Sequence, residues 1–227
     1  MILCLTNSKG GVGKSTIAVH LAVWMFEQGK KLVFVDSDVQ GSSSGWLSEA
    51  APELKTVRLL TSEDVLKTLP ELAVEFDYVV ADGPAGLSEV TRSILCLADI
   101  AMFPCGPSAL DLRAVIEALK VNKQIQAIRN GLPTEIVVPN KLQSQYKLSK
   151  ELVQTVKGMG MPVGEGLRLR QAYADAAGQG TVVWRMNTES ARQATAELQF
   201  LFQQLLSYES ATPSNPIGSS AVANRAT

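Results

Sequence analysis

Ser8-Lys9-Gly10-Gly11-Val12-Gly13-Lys14-Ser15-Thr16 follows the apolar run Ile2-Leu3-Cys4-Leu5 and precedes Ile17, Ala18, Leu21, Ala22 and Met25. The first run reads as a buried strand, and the later residues recur at helical spacing. Between them lies a glycine-rich turn with a lysine and two hydroxyls at the mouth of the helix. Such a turn lets successive backbone N–H groups converge on a phosphate chain, and the helix N-terminus adds partial positive charge there. Lys9, Gly10, Gly11, Val12, Gly13, Lys14, Ser15 and Thr16 are therefore the candidate phosphate-binding residues. Lys14 can reach β/γ phosphates, and the Ser15 hydroxyl can ligate Mg²⁺. The common pattern G-x-x-x-x-G-K-[ST] would place glycine at position 8, where this chain has Ser8.

Moving outward, apolar runs alternate with helical patterns. Leu32–Val35, Tyr78–Ala81, Ile100–Phe103 and Ile136–Val138 read as further buried strands, ending at Asp36, Asp82, Pro104 and Pro139-Asn140. Gly29 is a fitting stop for the first helix. Ser108-Ala109-Leu110-Asp111 reads as a capping box opening a helix. The last helix should follow Asn187, with Ala191, Ala194, Leu198, Leu201, Phe202 and Leu205 facing the core. This alternation predicts an α/β fold, a mainly parallel sheet flanked by helices on both faces. A chain of 227 residues suits one such domain, here 1–208. Residues 209–227, rich in Ser, Pro, Ala and Asn, read as a disordered polar tail.

Composition excludes several function classes. No apolar run approaches the ~20 residues of a membrane span. The N-terminus enters a strand without the basic start and apolar core of a signal peptide. Three dispersed cysteines without C-x-x-C spacing argue against metal or disulfide use, so a cytoplasmic setting is expected. Net charge is −1, unevenly placed. Residues 1–119 carry 9 Lys/Arg against 15 Asp/Glu (net −6), and residues 120–208 carry 11 against 6 (net +5). A basic second half can face phosphates, although charged helix faces give the same count.

In open parallel sheets, ligands sit beyond the carboxyl ends of the strands. Here those ends carry the glycine loop, Asp36-Ser37-Asp38, Asp82 and the Pro104–Pro107 stretch. Carboxylates beside a Mg²⁺-nucleotide can hold the metal through water or orient the attacking water.

The loop with its extra Lys9, the two acidic segments and the run from Ala98 to Ser108 resemble the ParA/MinD family of ATPases, whose phosphate loop deviates in this way. The resemblance spans most of residues 1–207. It implies ATP and Mg²⁺, with the strand ending at Asp82 resembling a Walker B motif. Asp36-Ser37-Asp38-Val39-Gln40 resembles the family's D-x-D-P-Q switch, with Val39 replacing proline. By resemblance, Asp38 orients the hydrolytic water, and Asp36 supports the metal site with Ser15 and Asp82. Lys9 would cross a dimer interface to the partner's nucleotide, giving a homodimer with ATP sandwiched within it.

Asn140-Lys141-Leu142-Gln143 invites comparison with the guanine-reading N-K-x-D motif. Gln143 cannot accept two N–H bonds as a carboxylate does, which favours adenine. Asn140 and Pro107 are candidate neighbours of the base. The chain resembles short ParA proteins, such as ParF-like plasmid partition ATPases and their relatives that space large cargo on the nucleoid. The polar tail lacks an amphipathic membrane helix. Arg168 and Arg170, with Lys147, Lys150 and Lys157, are candidate contacts to non-specific DNA. A ParB-like or adaptor protein would stimulate hydrolysis. The competing readings are a dethiobiotin-synthetase-like ligase, a metal-cluster reductase and a non-enzymatic scaffold. The first lacks a clear substrate constellation, the second lacks suitably placed cysteines, and Asp38 and Lys9 argue against the third.

Overall fold

The computed structural model describes residues 1–158 and 166–208. The expected disordered tail lies outside the described residues. Six parallel strands form one sheet: β1 (Ile2–Asn7), β2 (Leu32–Asp36), β3 (Thr56–Arg58), β4 (Tyr78–Ala85), β5 (Ile100–Cys105) and β6 (Thr134–Pro139). Their order is β3-β2-β4-β1-β5-β6. The strand before the glycine loop is therefore central, between the Asp82 strand and β5.

Helices cover both faces, and the alternation of side chains along each strand decides which face receives what. Leu3, Leu5, Phe34, Val80 and Met102 point to one side. There they meet α1 (Lys14–Glu27), α2 (Ser42–Ala50), α7 (Gln171–Gly178) and α8 (Glu189–Ser207). Cys4, Val33, Val35, Ala81 and Phe103 point to the other. They meet α3 (Ser62–Glu75), α4 (Glu89–Leu97), α5 (Ala109–Ile128) and α6 (Lys147–Gly158). Both faces are dry, which is why the strands read as continuous apolar runs.

The local expectations held at the clearest signals. Gly29 follows α1 with φ 74°. The Ser108 hydroxyl accepts the Asp111 N–H at 3.1 Å and opens α5. Thr188 caps α8, whose predicted apolar stripe is buried throughout. The strand β3 was not anticipated. It is a three-residue edge strand, half exposed and without an apolar run.

The one histidine, His20, ties α1 to the far end of the chain. It is fully buried, its Nδ1 lies 2.7 Å from the Thr16 carbonyl, and its Nε2 accepts the Val183 N–H at 3.3 Å. A carbonyl only accepts, so the proton sits on Nδ1 and the ring is neutral. Trp46, Tyr173 and Trp184 meet the ring edgewise, with centroids 5.3, 5.8 and 5.5 Å away.

Candidate functional site

The turn 8–13 leaves β1 under control of two side chains. Asn7 donates to the Pro104 carbonyl at 2.7 Å and accepts the Lys9 N–H at 2.9 Å. Ser8, standing where glycine was expected, donates to the Ala114 carbonyl of α5 at 2.9 Å. Gly11 and Gly13 adopt φ of 73° and 100°, which a side chain would strain. At Gly13 a Cβ would also lie 2.2 Å from the Asn140 amide nitrogen. Asn140 donates to the Val12 carbonyl at 2.8 Å, and Lys141 donates to the Gly11 carbonyl at 2.6 Å. The segment after β6 thus holds the loop from above. Lys14 lies beneath it, its ammonium 3.4 Å from the Lys9 carbonyl and the residue 6% exposed. Burial lowers its pKa, and the charges of Asp82 and Asp38 act in the opposite sense.

The acidic residues fall together, because Asp36 and Asp82 are register partners across β2 and β4. Their environments differ. Asp36 accepts the Asp38 N–H (3.0 Å), the Ser44 N–H (2.9 Å) and the Ser44 hydroxyl (2.6 Å). Its carboxylate shapes the segment that carries Asp38. Asp82 is fully buried with neither oxygen hydrogen-bonded. Burial pushes its pKa up to about 6. The Ser15 and Ser43 hydroxyls pull the other way without closing a bond of ordinary geometry, and Asp36 adds repulsion. Nearby chain positions add further orphans: the hydroxyls of Thr6, Ser37 and Ser43 are also buried without partners. A buried carboxylate with free lone pairs is costly unless a cation or its water shell completes it. The residues therefore fit Mg²⁺, which keeps waters and takes few protein ligands.

Lys9 does not join Lys14. Its ammonium makes a 2.7 Å ion pair with Asp111 at the start of α5, and its side chain remains 43% exposed. Burial raises the Asp111 pKa, but hydrogen bonds from Lys9 and Ser108 outweigh it and hold the carboxyl below the usual range. Asp38 is partly exposed, and its Oδ1 accepts the Gln40 N–H at 2.9 Å.

A cavity of about 260 Å³ opens beside Gly13 and Thr16. Ile17, Leu167, Leu169 and Tyr173 give it apolar walls, and Asn140 and Lys141 a polar rim, as a nucleobase site requires. Asn140 lines this cavity. Pro107 does not line the cavity; it precedes Ser108, on the Lys9–Asp111 side.

The DNA candidates separate. Arg170 is held by Glu197, at 2.5 and 3.3 Å, and by Gln193 at 2.6 Å, with its side chain 12% exposed. It fastens the cavity wall to α8, and its guanidinium is engaged by Glu197 and Gln193. Arg168 is 60% exposed. Lys147 pairs with Glu151 at 3.0 Å on α6, and Lys150 and Lys157 are exposed on the same helix. Sequence reasoning missed Lys141, Asp111 and the orphaned hydroxyls. Asp111 and Lys141 act on the loop from far away in the chain, and the hydroxyls of Thr6, Ser37 and Ser43 are brought together only by the fold; of these, only Asp111 had a local signal, the Ser108–Asp111 cap.

With this geometry in place, comparison with known proteins is direct. Residues 3–183 match the model of the CobQ/CobB/MinD/ParA nucleotide-binding domain. Maintenance of carboxysome distribution protein A of Halothiobacillus neapolitanus is 25% identical over 209 residues, covering 90% of this chain and 95% of the relative. Its namesake from Gloeobacter kilaueensis is 28% identical over 207 residues, covering 90% and 93%. An ATP complex of an aspartate-to-alanine variant of McdA from Cyanothece superposes with a TM-score of 0.74 at 17% identity, covering 92% of this chain and 96% of that one. That likeness is one of fold.

Proposed function

The chain belongs to the CobQ/CobB/MinD/ParA family of nucleotide-binding domains, and from that premise we propose that it is a Mg²⁺-dependent ATPase whose ATP-bound dimer holds non-specific DNA and positions a large cargo. Phosphates are received by the N–H groups of the 9–16 loop and by Lys14. Ser15 and, through water, Asp82 would hold the metal, and Asp36 orders the neighbouring switch. Mg²⁺ bound there supplies charge neutralisation on the β- and γ-phosphates. Asp38 orients the attacking water. The base lies in the cavity beside Asn140.

The observation that carries the dimer reading is Lys9. On this reading Lys14 serves the phosphates from within, while Lys9 stands partly exposed at the mouth, its ammonium paired with Asp111. Once released from Asp111, its charge is available to a second nucleotide, where it would stabilise negative charge developing on the phosphates. Arg168 and the α6 lysines supply the DNA face, doubled in the dimer. Hydrolysis stimulated by a ParB-like or adaptor partner would release the DNA. Nucleoid association follows from the DNA affinity. No described helix is long and apolar enough to cross a membrane. The likeness to two carboxysome distribution proteins over nine-tenths of the chain favours positioning a large cargo over a small-molecule synthetase.

The test is retention on non-specific duplex DNA with ATP, ADP or no nucleotide, alongside size-exclusion chromatography. ATP-only dimers with steeply salt-sensitive retention are expected. A nucleotide-binding monomer indifferent to DNA would overturn the reading.

A further inference from the structure

The switch segment lacks the proline that the resemblance calls for, yet its main chain is fixed from two sides. Asp38-Val39-Gln40-Gly41 is a turn closed by the Gly41 N–H on the Asp38 carbonyl at 3.0 Å. From within the sheet, Asp36 accepts the Asp38 N–H. From outside, Arg58 on the edge strand β3 donates one Nη2 to the carbonyls of Asp38 (3.1 Å) and Val39 (3.0 Å). Arg58 is the register partner of Asp36, so the sheet itself aims it at the turn. Gly41 makes room: it has φ 65°, and a Cβ there would stand 3.1 Å from the Arg58 guanidinium. The Val39 side chain is 72% exposed and anchors little.

We propose that Arg58 is a positioning residue for ATP hydrolysis: by holding the Asp38 and Val39 carbonyls it fixes the turn that presents the Asp38 carboxylate to the attacking water. The inference rests on the reading of Asp38 given above. Its chemical logic is geometric. Phosphoryl transfer depends on an oriented nucleophile, and the carboxylate that orients it is only as well placed as its backbone. Val39 occupies the second position of the turn, where proline is favoured because its ring presets φ. Arg58 therefore supplies from a neighbouring strand the stiffness a proline would supply locally.

The experiment compares steady-state ATPase of the full chain with that of Arg58→Ala, Val39→Pro, the double variant and Asp38→Ala, with thermal melting of each. Arg58→Ala should lower kcat about ten-fold, leave KM for ATP within about two-fold, and leave Tm unchanged, because an exposed arginine is removed and only orientation is lost. Adding Val39→Pro to Arg58→Ala should restore most of kcat, which mere loss of fold stability would not allow. If Arg58→Ala melts more than a few degrees lower, Arg58→Met, which keeps the aliphatic stem, carries the same comparison. Wild-type kcat in the arginine variant, or a loss that Val39→Pro does not recover, overturns the inference. An unchanged rate in Asp38→Ala overturns the reading of Asp38 instead. A dead Asp38→Ala beside a normal Arg58→Ala defeats the role of Arg58 alone.

Discussion

At the scale of single residues, Asp82 and Lys9 make opposite demands. Asp82 is a buried carboxylate whose oxygens find no hydrogen-bond partner within the protein. Replacing it by Asn removes a costly buried charge, so Asp82→Asn should melt at the wild-type temperature or above without ligand. The same variant should lose about 10- to 100-fold in Mg²⁺-dependent ATP affinity. Thermal shift with and without Mg·ATP checks both halves, and a strongly destabilised ligand-free protein would contradict the account. Lys9 is paired within its own chain, and the proposed ATP dimer would have to break that pair. Lys9→Ala should bind ATP and fail to dimerise on size exclusion. Asp111→Asn should dimerise at lower ATP concentration, since it removes the competitor for the lysine. The placement of Lys14, Ser15 and Asp82 at neighbouring strand ends was legible in the sequence because one short motif or one strand end fixes each. Asp111 and Lys141 were not, because they act on the loop from 102 and 130 residues away.

At the scale of elements, the link between α1 and the Val183 turn depends on a neutral histidine. Burial lowers the His20 pKa to about 4, against about 6.5 in an unfolded chain. A depressed folded pKa gives stability that is complete above pH 6.5 and lost as pH falls toward 4. The loss should reach about 3 kcal/mol, since the imidazolium would set a second N–H donor against the Val183 N–H. Urea unfolding across this range, wild type against His20→Gln, isolates the effect, because carboxylates common to both cancel. The Arg170–Glu197 pair is a second fastening. Arg170→Ala should cost on the order of 2 kcal/mol and weaken ATP binding through the loosened cavity wall, whereas Arg168→Ala, with a longer pair to the same Glu197 and a more exposed side chain, should cost little stability. Helices with an apolar stripe or a capping box were readable, as α5 and α8 show. The helix α2 was not, since its opening Ser42-Ser43-Ser44-Gly45 has poor intrinsic propensity and is ordered by Asp36 instead.

At the scale of the whole molecule, the parallel sheet was legible because its strands are dry on both faces, and the nucleotide site followed from where such strands end. What escaped was the edge: Thr56-Val57-Arg58 is too short and too polar to announce a strand, yet it delivers Arg58. Which way α6 and Arg168 face also lies beyond sequence reading, because charge counts carry no direction. If Arg168 meets a phosphate, Arg168→Ala should reduce the slope of log retention against log salt by about one per protomer. An unchanged slope would move the interface elsewhere, to α6 first.

The aromatic box around His20 also makes the protein its own optical instrument. Of three tryptophans, Trp46 and Trp184 touch the imidazole edge-on, and that imidazole grips the carbonyl of Thr16 in the first turn of α1, directly after the glycine turn. Any shift of the loop as nucleotide enters is thus wired to two indoles, and intrinsic emission should brighten, dim or change colour as the site fills, with no label attached.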